Sequence, residues 1–351
     1  MEHKVAVIPG DGIGTEIMPE AIRVLETAGR EYGVSFSWNE HDWGCERYCE
    51  TSRMAPDDFL EQLLPNDAIF LGAVGARNVP DHISLWGLLI PIRRTFDQYV
   101  NLRPVRLLRG LHSPLANREP GSIDYVIVRE NVEGEYSQIG GRLYSGSDRE
   151  IVTQESVFTR HGVDRIIRFA FELAQSRPRK RITSATKSNG IVHTMPFWDE
   201  RFRAIATEFP DIETSEYHID ILSAHFVQNP DRLDVVVASN LFGDILSDLG
   251  PATCGSIAIA PSANLNPQRT GPSMFEPVHG SAPDIAGLGI ANPIGQIWSG
   301  AMMLEHLGHA DAANAIVGAI EAVIAEGKWL TPDLSGKAST TECAQAVIGA
   351  L

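Results

Sequence analysis

Two aspartates, Asp244 and Asp248, stand four residues apart in the otherwise apolar stretch SNLFGDILSD, residues 239–248. On a helix this spacing places both carboxylates on one face, where like charges destabilise the helix by roughly 0.2–0.5 kcal/mol. Asp220, in YHIDIL, is a third acid inside an apolar run. Divalent cations such as Mg²⁺ and Mn²⁺ bind carboxylate oxygens, and a bound cation would offset the repulsion. The three aspartates therefore predict a metal site, and a solvated helix face is the alternative.

Three arginines are candidates for binding an anionic substrate. Arg93 precedes Arg103 by ten residues in IRRTFDQYVNLRPV, and Arg129 ends the apolar run of IDYVIVREN. The planar guanidinium group forms bidentate hydrogen bonds with carboxylates, which lysine cannot match. A substrate that carries carboxylates is one interpretation of this set, and surface ion pairing is the other.

Two further residues could transfer protons. Lys187 lies among small residues in SATKSNG, and a lysine in a cleft can have its pKa lowered enough to exchange protons. Tyr136, in RENVEGEY, carries a phenolic proton that it can donate. Either residue alone is more often found at the surface or in packing. Together they predict an acid–base pair if the fold brings them into one pocket.

The stretch FEPVHGSAPDIAGLGIAN is too polar and too rich in glycine for a strand, and it predicts a loop. It contains His279, Gly280, Ser281 and Asp284, and backbone of this kind can wrap a nucleotide. An acid in such a loop can bond both ribose hydroxyls of NAD and would repel the 2′-phosphate of NADP. A dinucleotide loop is one interpretation, and a plain structural loop is the other.

The elements around these residues indicate an α/β protein. VAVIPGDGIGTEIMPEAIRVLETAG predicts a strand, a glycine turn and an amphipathic helix, and DAIFLGAVG predicts a second buried strand. IDYVIVREN, RITSATKSNG and LDVVVASN are apolar β-rich runs, and helical patterns follow residues 160, 190 and 240. Open α/β sheets bind ligands beyond the carboxyl ends of their strands, where Arg129, Lys187 and Asn240 fall.

Three other stretches complete the organisation. Gly10, Gly12 and Gly14 follow the first strand, but their spacing is not G-x-G-x-x-G, which favours a tight, ligand-adjacent turn over a standard Rossmann pyrophosphate site. Residues 135–150, EYSQIGGRLYSGSDRE, predict an excursion or hairpin arm at an interface. The Pro- and Gly-rich stretch 261–293 predicts long ordered loops.

Composition excludes several classes of protein. The 351 residues exceed the size at which one core keeps growing, so two domains or two lobes are expected. A net charge of −16 disfavours nucleic acid as a partner, and no apolar run approaches the roughly 20 residues of a membrane span. The four cysteines form no zinc pattern and predict free thiols. The first ten residues do not resemble a secretion signal, so we expect a cytoplasmic protein with no membrane partner.

Six motifs occur in the order and approximate spacing of a known family: GDGIGTE, NLRPV, VRENVEGEY, TKSNG, SNLFGDILSD and EPVHGSAPDIAGLGIANP. On these motifs nearly the whole chain resembles the β-decarboxylating hydroxyacid dehydrogenases, which include isocitrate, 3-isopropylmalate, D-malate and tartrate dehydrogenases. The resemblance implies two α/β lobes that share a mixed sheet, unlike a standard Rossmann fold. Residues 1–100 and 256–351 would form a large nucleotide-binding lobe, and residues 101–255 a small lobe with a dimerisation arm at about 135–155. It also implies a homodimer with shared active sites.

The resemblance implies a role for each candidate residue. The catalytic residues would be Lys187, Tyr136 and Asp220. Lys187 would cross the subunit interface as the general base for the substrate hydroxyl, and Tyr136 would protonate the enol after CO₂ leaves. The metal ligands would be Asp244, Asp248 and the other protomer's Asp220, the substrate carboxylate would be held by Arg93, Arg103 and Arg129, and the nucleotide loop would contain His279, Gly280, Ser281, Ala282, Asp284, Ile285 and Asn292.

The resemblance also bears on cofactor and substrate. Asp284 followed by Ile285 is similar to the NAD-using members, because NADP-using isocitrate dehydrogenases carry a basic residue there. The cation would be Mn²⁺ or Mg²⁺, and a K⁺ requirement is also suggested. Specificity is expected in HISLWGLLIPIRR, where Trp86 and Leu89 are apolar and offer nothing to a third carboxylate.

The substrate segment and the stretches RRTFDQYVNLRPVRLL and TSATKSNG are most similar to the D-malate and tartrate dehydrogenases. We therefore expect NAD- and metal-dependent oxidation and oxidative decarboxylation of a four-carbon 2-hydroxydicarboxylate. A 3-isopropylmalate dehydrogenase is the nearest alternative, since leucines could bind an isopropyl group. A metal-dependent phosphohydrolase that uses Asp11 and the later aspartates, and a binding protein without turnover, are alternatives of other classes.

Overall fold

The computed structural model describes every residue from Met1 to Leu351 and contains two compact units. The first unit combines Met1–Asp124 with Gly250–Leu351, and the second is the uninterrupted segment Tyr125–Leu249. The resemblance implies lobe boundaries after residues 100 and 255. These boundaries divide the chain by function and not by compactness, and they stay a prediction.

Helices and strands both occur throughout the chain, which confirms the predicted α/β class. The strands are β1 (Glu2–Gly10), β2 (Ser35–Glu40), β3 (Ala68–Ala73), β4 (Val100–Arg106), β5 (Asp124–Glu130), β6 (Gly140–Leu143), β7 (Ile151–Gln154), β8 (Arg181–Thr186), β9 (Glu213–His218), β10 (Val235–Ala238), β11 (Pro261–Leu265) and β12 (Ser273–Pro277). The helices are α1 (Gly14–Tyr32), α2 (Cys45–Thr51), α3 (Phe59–Leu63), α4 (Asp81–Ser84), α5 (Ile90–Thr95), α6 (Arg160–Ser176), α7 (Thr194–Ala206), α8 (Ile219–Gln228), α9 (Asn240–Thr253), α10 (Ile294–His306), α11 (Ala310–Glu326) and α12 (Thr340–Ala350). None of them combines the length and the apolar character that crossing a membrane requires.

The first unit is built on strands in the order β2-β1-β3-β12-β11-β4. Strands β1, β2, β3 and β12 run parallel, whereas β11 runs antiparallel to both β12 and β4. The strand β3, AIFLGA, is buried along its whole length because it supplies apolar side chains to both faces of the sheet. Helix α1 buries one face through residues at helical spacing, such as Ile17, Ala21 and Val24. It ends at Gly33, whose left-handed φ of 71° suits glycine.

The second unit is built on four parallel strands in the order β5-β10-β8-β9. Parallel strands present their carboxyl ends at one edge of the sheet. Arg129 lies at the end of β5, Lys187 directly follows β8, and Asn240 begins the helix after β10. The three strands and the helices after residues 160, 190 and 240 are therefore confirmed, and they collect the candidate residues at this edge.

The predictions for the two irregular stretches, residues 135–150 and 261–293, have different outcomes. A hairpin is confirmed, since β6 and β7 pair antiparallel with Gly140 opposite Gln154. The prediction of loops throughout 261–293 is wrong, because β11 and β12 lie inside this range. Their polar side chains are buried and hydrogen-bonded; Asn264 Nδ2, for example, donates to Glu276 Oε1 at 2.7 Å. Bonded polar groups let two interior strands form from a sequence of low apolar content.

Candidate active site

In the second unit, Arg129, Tyr136 and Asp244 meet in one cluster. The Tyr136 hydroxyl donates a hydrogen bond of 2.7 Å to Asp244 Oδ2, and Arg129 Nη1 forms an ion pair with Asp244 Oδ1. The guanidinium carbon of Arg129 lies 5.6 Å from the centre of the Tyr136 ring. The cluster joins a residue predicted to bind substrate, one predicted to donate a proton and one predicted to bind metal.

The local sequence explains how Arg129 reaches this position. Arg129 is 2% exposed, and its Nε and Nη2 donate to Asn240 Oδ1 at 3.2 and 2.7 Å. It passes alongside α9 at Gly243, where a Cβ atom would lie 2.5 Å from Arg129 Cγ. Such a contact is too short for carbon atoms, so this packing requires glycine at position 243. The Asp244 side chain is 36% exposed and stays accessible to a ligand.

Lys187 and Asp220 form a second pair at the carboxyl edge of the same sheet. Lys187 follows β8, and Asp220 lies in the first turn of α8, directly after the neighbouring strand β9. Lys187 Nζ donates to Asp220 Oδ1 at 2.8 Å. This hydrogen bond is the main cause that lowers the pKa of Asp220, and it favours the ionised carboxylate. The side chains are 30% and 68% exposed, so both are open to solvent.

The three predicted metal ligands are not assembled within one chain. Asp244 and Asp248 both lie on α9, one turn apart, as their spacing predicts. The chain contains no group of three or more His, Cys, Asp or Glu side chains placed to bind a metal ion. The contribution of Asp220 from a second protomer stays a prediction.

In the first unit, Arg93 belongs to a buried polar network that the sequence analysis did not anticipate. Arg93 Nη2 pairs with Glu276 Oε1 at 2.8 Å, and Asn264 donates to the same oxygen at 2.7 Å. Arg93 Nε is buried without a hydrogen-bond partner. Arg103 lies on β4 and is 7% exposed. The only sequence signal for Glu276 was an acid inside the apolar run MFEPV.

The glycine turn after β1 is organised by Asp11. Gly10 and Gly12 have left-handed φ values of 73° and 55°. The two carboxylate oxygens of Asp11 accept hydrogen bonds from the backbone N–H groups of Cys45 and Gly75, each at 2.8 Å. Asp11 therefore ties the glycine turn to the start of α2 and to the loop after β3. This structural role argues against the phosphohydrolase alternative, which needs Asp11 as a metal ligand.

The loop that follows β12 folds against the start of α1. Ile13 N donates to Ser281 O at 2.9 Å, and a Cβ atom on Gly12 would lie 2.2 Å from that oxygen. Glu16 accepts a hydrogen bond of 2.9 Å from Gly289 N. These contacts bring the predicted nucleotide loop to the glycine turn, and the prediction that a ligand lies beside this turn stays a prediction.

Within this loop, His279 and Asn292 differ in how completely their side chains are hydrogen-bonded. His279 Nε2 is buried without a hydrogen-bond partner, whereas Nδ1 lies 3.0 Å from Gly280 O. Burial lowers the pKa of His279, so the neutral imidazole prevails at pH 7. Asn292 is fixed, because its Oδ1 accepts from Ile294 N at 2.9 Å and its Nδ2 donates to Asp333 at 3.0 Å. The orphaned nitrogen of His279 is the group in this loop that most needs a ligand.

Asp284 and Ile285 are neighbours in sequence with different surroundings. Asp284 forms an ion pair with Arg77, and the two side chains are 75% and 72% exposed. Ile285 and Ala282, by contrast, pack against an apolar cluster at the start of α1 that includes Ile17. The loop is thus anchored by Ile285 and presents Asp284 to solvent.

The predicted specificity residues Trp86 and Leu89 lie on a π-helical turn, Leu85–Leu89, that joins α4 to α5. Pro91 accounts for this turn, because in an α-helix its ring would clash with the carbonyl four residues earlier. Leu89 packs against the core, whereas Trp86 is half-buried with the Arg94 guanidinium carbon 5.0 Å from its ring centre. The role of Trp86 and Leu89 toward a substrate stays a prediction.

Comparisons with known proteins match nearly the whole chain to one family of dehydrogenases. The family model for isocitrate/isopropylmalate dehydrogenase matches residues 4–347. D-malate dehydrogenase [decarboxylating] of Escherichia coli (strain K12) is 61% identical over 351 residues, which cover 98% of this chain and 97% of that protein. Tartrate dehydrogenase/decarboxylase of Pseudomonas putida is 57% identical over 352 residues, which cover 98% and 96%. The crystal structure of isocitrate dehydrogenase from Methylococcus capsulatus matches with a TM-score of 0.90 and 36% identity over 99% of each chain.

Proposed function

This chain belongs to the isocitrate/isopropylmalate dehydrogenase family, and we propose that it oxidises and decarboxylates a four-carbon 2-hydroxydicarboxylate with NAD and Mn²⁺ or Mg²⁺. The substrate is D-malate, which gives pyruvate and CO₂, or tartrate, or both. The observation that carries the proposal is the contact of Arg129 and Tyr136 with Asp244. A carboxylate-binding cation, a proton donor and an oxygen ligand for a metal are the groups that this chemistry needs at one place.

The substrate class is supported from two directions. The D-malate and tartrate enzymes match nearly the full chain at 61% and 57% identity. The turn that carries Trp86 and Leu89 is apolar, so it offers no charge to the third carboxylate of a larger acid. A short dicarboxylate is therefore favoured over isocitrate.

Lys187 and Tyr136 would divide the proton transfers. Lys187 takes the proton of the substrate hydroxyl, and Tyr136 later returns a proton to the carbon that has lost CO₂. The guanidinium group of Arg129 binds a substrate carboxylate and fixes the orientation of the C–H bond that is broken. Arg93 and Arg103 would complete the carboxylate site.

Asp244 and Asp248 would hold the divalent cation together with the partner subunit's Asp220. These residues supply only oxygen donors, which Mg²⁺ and Mn²⁺ prefer. When bound, the metal would lower the pKa of the substrate hydroxyl and stabilise negative charge on oxygen, while NAD would accept the hydride. A K⁺ requirement is part of the proposal and is supported by the resemblance alone.

The loop from His279 to Asn292 would hold NAD. The buried, unpartnered Nε2 of His279 supports a ligand at this place. Asp284 would bond the ribose hydroxyls and repel the 2′-phosphate of NADP. Its pairing with Arg77 must loosen when the ribose binds.

A homodimer would complete each active site, and a cytoplasmic location is part of the same proposal. The β6–β7 hairpin and its flanks expose large apolar side chains to 50–62%, and such a concentration is typical of an interaction surface. The residues are Ile139, Leu143, Tyr144, Ile151 and Val152. The chain by itself contains no group of three or more His, Cys, Asp or Glu side chains placed to bind a metal ion. This also supports an active site to which a second protomer contributes Asp220.

A substrate panel tests the proposal. Purified protein with NAD, Mn²⁺ and K⁺ is given D-malate, L-(+)-tartrate, meso-tartrate or 3-isopropylmalate, and NADH and CO₂ are measured. We expect NADH with D-malate or a tartrate isomer, and its loss with EDTA. Turnover of 3-isopropylmalate alone would select the nearest alternative, and ligand-induced stabilisation without NADH would select a binding protein.

A further inference from the structure

Glu135 is a carboxylate outside the proposed catalytic set that contacts the helix carrying two proposed metal ligands. Its Oε2 accepts a hydrogen bond of 3.0 Å from Leu241 N, in the first turn of α9. Its Oε1 accepts a hydrogen bond of 2.7 Å from the hydroxyl of Ser239, the residue just before that helix. The first backbone N–H groups of a helix have no partner within it. Glu135 therefore caps α9 from a different segment of the chain.

The segment around Glu135 holds the same end of α9 at further points. Asn240 Nδ2 donates to Glu133 O at 3.1 Å. Gly134 has a φ of 95°, and a Cβ atom there would lie 3.4 Å from Asn240 Cβ. One turn along the helix, Tyr136 donates to Asp244 at 2.7 Å. The backbone around Glu135 and the start of α9 are thus fixed against each other at several successive positions.

A carboxylate is well suited to this place. Negative charge at a helix N-terminus is favoured by the helix dipole, and hydrogen bonds to a charged acceptor are stronger than neutral ones. Asp244 lies one turn after the capped end and Asp248 one turn later. Movement of the capped end is transmitted to both aspartates, because backbone hydrogen bonds join each turn of the helix to the next.

We propose that Glu135 is a positioning residue for the metal site. By fixing the start of α9, it sets where Asp244 and Asp248 stand relative to Arg129 and Tyr136. This inference rests on the proposed function, which identifies the metal ligands. The role assigned to Glu135 is exerted through α9 and involves no contact with the substrate or the cofactor.

Glu133 provides a matched control. It belongs to the same segment, and its carboxylate likewise caps a helix, since it accepts hydrogen bonds from Thr159 N at 2.9 Å and from Thr159 Oγ1 at 2.8 Å. Thr159 is the N-cap residue of α6, which carries none of the proposed metal ligands. Loss of either carboxylate removes a helix cap from one segment, but only the loss at Glu135 touches α9 directly.

The test is a titration of the purified full-length protein with Mn²⁺ alone, in which free Mn²⁺ is followed by electron paramagnetic resonance. Glu135→Gln should weaken Mn²⁺ binding by about 10-fold, the usual lower limit for loss of a residue that orients a metal ligand. Glu133→Gln should stay within about 2-fold of the wild type, even if its Tm falls as far as that of Glu135→Gln. Ser239→Ala is a milder change, because it removes only one of the two hydrogen bonds to Glu135. Its Mn²⁺ affinity should lie between those of Glu135→Gln and Glu133→Gln.

Equal weakening by Glu133→Gln and Glu135→Gln would reduce Glu135 to a structural cap and overturn the inference. Unchanged Mn²⁺ affinity in both Glu135→Gln and Ser239→Ala, or no Mn²⁺ binding by the wild-type protein, would overturn it as well. Failure of the proposed reaction alone is distinguishable from these results, because it would leave Mn²⁺ binding and its dependence on Glu135 intact while neither D-malate nor a tartrate isomer is oxidised.

Discussion

Two ion pairs that involve candidate residues, Arg93–Glu276 in the first unit and Lys187–Asp220 in the second, differ in burial and in the sequence separation of their partners. The first joins residues 183 positions apart, and its side chains are only 7% and 8% exposed. The second lies at the ends of neighbouring strands, with side chains 30% and 68% exposed. A buried pair cannot open without leaving a charge in the interior, whereas an exposed pair can be opened by a ligand or another chain. Arg93 is therefore fixed in place, while Lys187 and Asp220 are free to change partners.

Lys187→Met should give the largest effect and tests the exposed pair. Methionine keeps the apolar stem but removes the charge and the proton acceptor, so kcat with D-malate should fall by about 10²–10⁴-fold. The Tm should stay at the wild-type value, because exposed ion pairs contribute little to stability. A lower Tm with an unchanged kcat would instead give Lys187 a structural role.

Glu276→Ala tests the buried pair and should have the largest effect on stability. It leaves the charge of Arg93 buried without its carboxylate, so the free energy of unfolding in urea should fall by about 3–5 kcal/mol. The control is the double variant Arg93→Met/Glu276→Leu, in which neither charge remains and most of the stability should return. A single variant as stable as the wild type would show that the network tolerates the unpaired charge.

Glu130 extends the comparison of buried and exposed charged groups, because it is a buried carboxyl in the second unit. It accepts hydrogen bonds from backbone N–H groups, such as that of Glu133 at 2.8 Å. Burial raises the pKa of Glu130 from its ordinary value of 4.5 to about 8. Between these values the folded state binds a proton that the unfolded state lacks, so stability should fall as the pH rises from about 5 to 8 and then level off. Glu130→Gln should flatten this part of a profile of Tm against pH. An unchanged slope would assign the dependence to other groups.

The smallest effect is expected at the exposed pair of the first unit, Arg77–Asp284. Arg77→Gln should change the free energy of unfolding by less than about 1 kcal/mol. It leaves Asp284 with an uncompensated charge, so the ratio of kcat/KM for NAD to that for NADP should rise by about 5-fold, as expected for two unit charges near each other in water. Arg77→Lys keeps the positive charge and should retain the wild-type ratio. An equal ratio in all three proteins would contradict a role for Arg77 near the ribose.

The sequence was sufficient for elements whose pattern is local. The strands β5, β8 and β10 are runs of apolar and β-branched residues, and polar residues follow each of them, so both the strands and the edge that collects Arg129 and Lys187 could be predicted. The relation of Asp244 to Asp248 was equally accessible, because it depends only on the helical repeat.

The missed features depend on contacts between distant parts of the chain. The strands β11 and β12 carry buried Asn264 and Glu276, whose polarity is tolerated only because partners come from elsewhere in the fold. The pairing of Arg93 with Glu276 and the ties from Asp11 to Cys45 and Gly75 have the same cause. No local pattern in the sequence encodes a partner 183 residues away.

The interrupted first unit and the uninterrupted second unit have a consequence for biosynthesis. The second unit, Tyr125–Leu249, is complete as soon as its own segment has left the ribosome, whereas the first cannot close until Gly250–Leu351 has followed. Domains generally fold as units during synthesis. The unit that carries the residues proposed to transfer protons can therefore fold early, while the apolar strands of the nascent N-terminal segment stay incompletely covered and exposed to chaperones.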